Sequence, residues 1–265
     1  MFMDLKLVKQ KLNDLNAKPS PKREKVDYSK IIWKPKVGKH VIRIVPSAFD
    51  KNNPFKEVFL HYGFQKFPIF ALTNWGEKDP IVEFASELRK TSERENWLLA
   101  KKIEPKMRIF VPVLVRGEEE MGTRLWEMGK SLYNQFLQIA DDEDYGDYTD
   151  IVSGRDFTVE ATKTEVAGKE ATKCTIRIKP KTSPLLSDKY SQDQIDKLLN
   201  EQPDVLAINR KFTFDQLKSI LNDWLSGGET SKEPSNDASE NETLIGNSER
   251  ESKESRLEKL FGEED

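Results

Sequence analysis

Short apolar runs broken by turn residues limit the fold of this chain more than any other feature. Segments 31–33, 41–45 (VIRIV), 58–62 and 67–72 are separated by Pro, Gly or Asn, the residues that set chain reversals. Each is too short for a core helix and reads as a strand. Segment 107–115 (MRIFVPVLV) is a stronger strand, and with 123–128 it predicts a hairpin around RGEEEMG. Segments 157–162 and 174–179 alternate in polarity and predict a second hairpin joined by AGKE. Apolar spacing predicts helices over 81–103, in two pieces, and over 131–140, 195–199 and 214–225. Strands with helices inserted between them predict an α+β fold, an OB-fold-like small β-barrel core with helical insertions.

The ends of the chain differ from this middle. Residues 4–16 place Leu5, Val8, Leu12 and Leu15 on one helical face, and Lys6, Lys9 and Lys11 lie elsewhere. Residues 17–30 carry two prolines and many charges and read as a linker. From Ser226 onward apolar residues nearly vanish, and such a segment cannot bury enough surface to offset its ordering entropy, which predicts a disordered tail. The expected organisation is an N-terminal basic arm over 1–18, a core over 19–225 and an acidic tail over 226–265. Charge follows the same division. Residues 1–140 hold 26 Lys and Arg against 17 Asp and Glu, residues 141–225 hold 12 against 17, and residues 226–265 hold 5 against 12. A basic front and an acidic back suit a chain that binds a polyanion at one end and repels or mimics one at the other. The single cysteine, Cys174, allows no internal disulfide, which fits a reducing compartment. No apolar run approaches the roughly 18 residues that span a membrane, and the N-terminus lacks the order of a signal peptide. The expectation is a soluble, cytoplasmic protein.

Catalytic chemistry finds little to stand on. There are two histidines, His40 and His61, in no metal-binding spacing, and there is neither a phosphate loop nor a dinucleotide fingerprint. Cys174 reads as a small buried thiol in a strand. Asp141, Asp142, Glu143, Asp144, Asp147 and Asp150 crowd one loop but lack the ligand order of a calcium loop. They support the alternative of a metal-dependent nuclease, and the acidic tail supports that of an adaptor protein. The leading expectation is no enzyme and no cofactor or metal.

Nucleic-acid binding has more support. Single strands are held by a cationic groove and by aromatic faces on which bases stack, each contributing roughly 1–3 kcal/mol. The front half interleaves these residue types. Lys34, Lys36, Lys39 and Arg43 surround Trp33 and VIRIV, while Tyr62, Phe64 and Lys66 lie in HYGFQKF. Arg108 and Phe110 are two apart on one strand and so share a face. Arg124, Trp126 and Lys130 follow. The expected interface has Lys34, Lys36, Lys39, Arg43, Lys66, Arg108, Arg124 and Lys130 on phosphates, and Tyr62, Phe64, Phe110 and Trp126 under bases.

Several motifs in order resemble one family. WKPK (33–36) is followed by VIRIVPS (41–47), NPF (53–55), HYGF (61–64), DPIVEFAS (79–86), MRIFVPVLV and a Gly129-Lys130 turn. This order resembles the T4-type bacteriophage single-stranded DNA-binding, or helix-destabilising, proteins over roughly residues 1–200. The resemblance implies an OB-fold core that binds single-stranded DNA without sequence preference, during phage replication, recombination and repair. It also implies self-association along the strand through the N-terminal arm, here with Lys6, Lys9 and Lys11. It further implies an acidic tail that docks replication and recombination proteins, here through Leu257, Leu260 and Phe261, in the cytoplasm of an infected bacterial host. The family usually holds a structural zinc with three cysteines and a histidine. Here Asp79 and Val82 stand where two cysteines would be, Ala71 stands near the first, and Tyr62 or His61 stands at the histidine. Zinc takes four N or S ligands, so no zinc is expected. Packing of Phe67, Ile69, Phe70, Trp75, Ile81 and Phe84 is expected to hold the segment 67–90 instead.

Overall fold

The computed structural model describes residues 27–166 and 169–226. The helix expected over 4–16 with Lys6, Lys9 and Lys11, and Leu257, Leu260 and Phe261 of the tail, lie outside the described residues.

A mixed sheet of eight strands forms the body, with strand order β1-β6-β5-β2-β7-β8. The strands are β1 (Ile32–Trp33), β2 (Gly38–Ile44), β3 (Lys56–His61), β4 (Ile69–Phe70), β5 (Lys106–Val115), β6 (Arg124–Met128), β7 (Arg155–Val166) and β8 (Lys169–Thr182). β5 is the hub, because it is continuously apolar from Ile109 to Val115 and buried along that stretch. β6 pairs along one of its edges, from Ile109↔Met128 to Val113↔Arg124. The other edge is shared. β3 takes Lys106 to Phe110, and β2 takes Val113 to Val115. Pro112, which has no N–H to donate, falls between these two stretches. Both expected hairpins form, β5–β6 and the longer β7–β8. The hydrogen-bonded order runs from β1 to β8 as an open sheet, and among the described residues no strand pairing joins its ends into the expected OB-fold-like barrel.

The helices are α1 (Tyr28–Ile31), α2 (Pro80–Arg89), α3 (Arg94–Ile103), α4 (Lys130–Ala140), α5 (Gln192–Asn200), α6 (Val205–Ile208) and α7 (Phe214–Leu225). Their starts are written locally. Ser191 with Gln194 and Thr213 with Gln216 form capping boxes, and Asp79 caps α2 ahead of Pro80, each satisfying N–H groups that have no partner inside the helix. α4 lays Tyr133 and Phe136 on the main core beside Trp33, Ile42, Ile44, Val111, Trp126 and Phe157. A second core belongs to a helical lobe in which α2, α3 and α7 enclose Phe64, Ile69, Leu72, Ile81, Phe84, Leu99, Leu217 and Leu221. Phe70 and Trp75 pack elsewhere, with Val58, Leu60, Phe110, Leu125 and Val205. The expected cluster over 67–90 is therefore divided between two cores, and Phe67 joins neither.

Arg43 sits fully buried where β2, β7 and the 150 and 183 loops meet. Its Nε donates to Asp156 Oδ1 at 2.9 Å, Nη1 to the Asp150 carbonyl at 3.3 Å, and Nη2 to the carbonyl and hydroxyl of Ser183 at 2.7 and 2.6 Å. Arg116 donates to the same Asp156 carboxylate. Burial pushes the Arg43 guanidinium below its ordinary pKa, and Asp156 opposes that shift. Gly154 makes room for this arrangement, since a β-carbon there would stand 2.7 Å from Arg43 Nη1 and 2.3 Å from the Asp150 carbonyl.

Candidate nucleic-acid interface

Strand register brings several of the expected residues to one end of the sheet. β5 begins there, and β3 ends there with Leu60 opposite Lys106. β6 ends there too, at Met128 opposite Ile109, so that Gly129 follows beside Arg108. β1 runs parallel to β6 with Trp33 opposite Trp126, so exposed Lys34 leaves the strand toward the same end, with exposed Lys36 two residues on.

Arg108 is the centre of this end. Its Nε donates to the Tyr62 hydroxyl at 3.0 Å, its guanidinium lies 5.6 Å from the Tyr62 ring centre, and Glu127 stands 3.7 Å away. Gly129 is the N-cap of α4 and offers no side-chain cap, which leaves the first N–H groups of the helix and the positive end of its dipole open toward an anion. A β-carbon at Gly129 would come within 3.4 Å of Arg108 Nη1. Lys130, the first residue of α4, is exposed. Tyr62 and Arg108 are thus neighbours as ring and cation, and the start of α4 at Gly129 lies beside Arg108.

The loop after β3 decides which ring faces solvent. Gly63 turns it with φ +81, a conformation that glycine adopts without strain. Phe64 then points inward, 5.3 Å from the Trp224 ring centre and 6.0 Å from that of His61. Three residues on, Phe67 is 71% exposed, with Lys66 Nζ 5.6 Å from its ring centre. The bare aromatic of this loop is Phe67, and Phe64 is its anchor.

Four expected contacts are corrected by burial, along with Phe64. Arg43 is enclosed by Asp156 and Ser183 and presents nothing to a phosphate. Arg124 is buried and paired with Glu118. Trp126 lies in the main core, 5.2 Å from Trp33 and 6.0 Å from Phe136. Phe110 does share a strand face with Arg108, but Val205 of α6 covers it beside Leu125, while Arg108 remains at the open end. Lys39 is exposed at the start of β2, 3.8 Å from Glu160 of β7, next to His40, whose ring meets the Lys36 carbonyl.

The residues present do not build a zinc centre. His61 Nε2 lies 3.1 Å from Asp79 Oδ2, and Nδ1 lies 3.2 Å from the Ile103 carbonyl. Both ring nitrogens face oxygen acceptors, so the imidazole directs no lone pair at a metal position. Asp79 also accepts from the backbone N–H groups of Leu72, Ile81 and Val82. Although burial opposes it, these bonds and His61 hold the Asp79 carboxyl below the usual carboxylate range. The pair joins β3, the turn at Leu72, the start of α2 and the end of α3. In the acidic loop, the carboxylates of Asp142, Asp147 and Asp150 accept from N–H groups of their own turns, and among the described residues no three candidate ligands gather around a metal position. Burial pushes the half-buried Cys174 thiol up, the opposite of what a nucleophile needs.

Sequence reasoning passed over a group of rings and cations on the helical lobe. Trp97 of α3 is 44% exposed, with Arg89 and Lys101 at 5.1 and 5.6 Å from its ring centre. Lys102 lies 5.7 Å from Trp224. The signal was present, because Trp97 falls off the face formed by Asn96, Leu99, Ala100 and Ile103.

A mixed α+β body whose sheet end gathers cations around an open ring has the build of a nucleic-acid-binding protein. Residues 36–224, most of the chain, match the family described as gp32 DNA binding protein like, and the chain belongs to that DNA-binding family. The resemblance carried by VIRIVPS and HYGF is thereby borne out. No curated protein matches the chain.

Proposed function

We propose that this protein binds single-stranded DNA without sequence preference and without catalysis, coating strands during phage replication, recombination and repair in a bacterial host cell. The observation that carries this reading is the meeting of Tyr62 and Arg108 beside the start of α4 at one sheet end, in a chain of a DNA-binding family. Lys34, Lys36, Lys66 and Lys130 are exposed and would follow phosphates, with Arg108 directed by Tyr62. Phe67 would take a base on its open face, a role that suits a sequence-tolerant binder because every base has a π-face. An OB-like barrel is supported by the 5.7 Å ring contact between Trp33 of β1 and His40 of β2, which brings together the two ends of the run β1-β6-β5-β2. Self-association through Lys6, Lys9 and Lys11, and docking of phage replication and recombination proteins through Leu257, Leu260 and Phe261, complete the proposal.

The test is equilibrium binding of a labelled oligonucleotide across a salt series. With about four to six phosphates neutralised, log affinity should fall against log salt with a slope of roughly −3 to −4. An affinity indifferent to salt, or no affinity, refutes the reading.

A further inference from the structure

We propose that a single strand held at the sheet end continues across the outer face of α3, where Trp97 is a second stacking platform and Lys101 and Lys102 follow the phosphates. This inference rests on the DNA-binding reading above and extends it to the helical lobe.

The buried face of α3 comprises Asn96, Leu99, Ala100 and Ile103, so Trp97 lies off the face turned to the enclosed core. An indole left 44% exposed on a helix is a large apolar ring at the surface, flanked by Arg89 and Lys101. The Arg89 charge is matched by Glu104. Lys101 and Lys102 are exposed, and among the described residues neither has a carboxylate at ion-pair distance. Exposed cations beside an exposed ring are the two components that hold a single strand. They also surround the C-terminal end of α3, whose dipole favours positive charge there.

This face is continuous with the sheet end. Lys106 Nζ donates to the Lys101 carbonyl at 3.1 Å, and Lys106 precedes Arg108 by two residues on β5. On the other flank, Lys102 covers Trp224, and Trp224 packs on Phe64, the anchor of the loop that presents Phe67. From Ile103 to Trp97 the helix advances only about 9 Å. A strand leaving Arg108 and Phe67 therefore meets Lys101 and Lys102 next, and Trp97 after them.

The test compares Trp97→Ala, Trp97→Phe and the double variant Lys101→Glu with Lys102→Glu against the full-length wild type. The probes are oligothymidylates of about four and about twelve nucleotides, the span one OB-type groove covers. Trp97→Ala should leave the short probe unchanged and weaken the long one roughly fivefold to hundredfold, with Trp97→Phe recovering most of the loss. The double variant should follow Trp97→Ala. Thermal melts of the variants should match the wild type, and the long probe should quench tryptophan fluorescence less in Trp97→Ala. Wild-type binding to both probes with Trp97→Ala unaltered on either overturns this inference alone and leaves the face to a protein partner. A wild type that binds neither probe overturns the DNA-binding reading itself.

Discussion

At the scale of single residues, burial separates positions that charge and ring type made look alike. Arg43 and Arg108 both follow apolar neighbours in strands, yet Arg43 has three of its nitrogens on Asp156, Asp150 and Ser183, while Arg108 sits at an open edge with Tyr62. Replacing Arg43 by alanine removes one partner of a buried ion pair and takes the donor from the Asp150 and Ser183 carbonyls, while Arg116 keeps Asp156. We expect Arg43→Ala to lose about 3–5 kcal/mol of folding stability in urea melts, with the affinity of the folded fraction for single strands unchanged. Phenylalanines divide in the same way. Phe110→Ala should cost about 3–5 kcal/mol of stability, as truncation of a core ring does. Phe67→Ala should instead weaken strand binding by about 1–3 kcal/mol, and its melting temperature should stay close to that of the wild type. Melting and binding measured on both variants check the assignment, and the opposite pattern would return Phe110 to the interface.

Between elements, the His61–Asp79 pair is the tie that holds the helical lobe to the sheet, where Asp79, Val82 and Ala71 stand in place of the family's zinc cysteines. Asp79 caps α2, accepts from Leu72 and meets His61 of β3. Its folded pKa is depressed, with the opposing effect of burial overcome by these bonds. A depressed carboxylate contributes stability above its unfolded value of about 4, and that contribution disappears as pH falls through the lower folded value. Asp79→Asn cannot ionise. Near neutral pH it should be the less stable protein, and the gap from the wild type should narrow as pH falls below about 4. Melting curves from pH 7 downward measure this directly. A gap independent of pH would mean that the Asp79 charge adds nothing to the tie.

For the whole molecule, charge is the organising quantity. Residues 1–225 carry 38 basic and 34 acidic side chains, and residues 226–265 carry 5 and 12. The acidic segment is joined to α7, whose Trp224 lies beside Lys102. A chain of about 40 residues reaches roughly 30–40 Å, enough to cover a basic face of the same molecule. Removal of 226–265 should therefore tighten single-strand binding at low salt. The gain should fade at physiological ionic strength, where the Debye length is about 8 Å. Titrations of both proteins at two salt concentrations decide the matter, and equal affinity at low salt would leave the segment no part in strand binding.

The sequence by itself determined the α+β class, the hairpin β5–β6, the division of 81–103 into two helices, and the family. The first three follow from local periodicity and turn residues, which act over a few positions, and the family follows from the resemblance of its motifs in order. Lys34, Lys36, Lys66, Lys130 and Tyr62, which the sequence offers as strand contacts, are exposed or partly exposed in the fold. Only the tertiary structure decided that Phe64, Phe110, Trp126, Arg43 and Arg124 turn inward while Phe67 and Trp97 remain outside. Those outcomes depend on distant partners, such as Val205 over Phe110, Trp224 over Phe64 and Ser183 on Arg43. The physical reason is that a side chain's exposure is set by what folds across it, and those covering residues lie from 95 to 160 positions away along the chain.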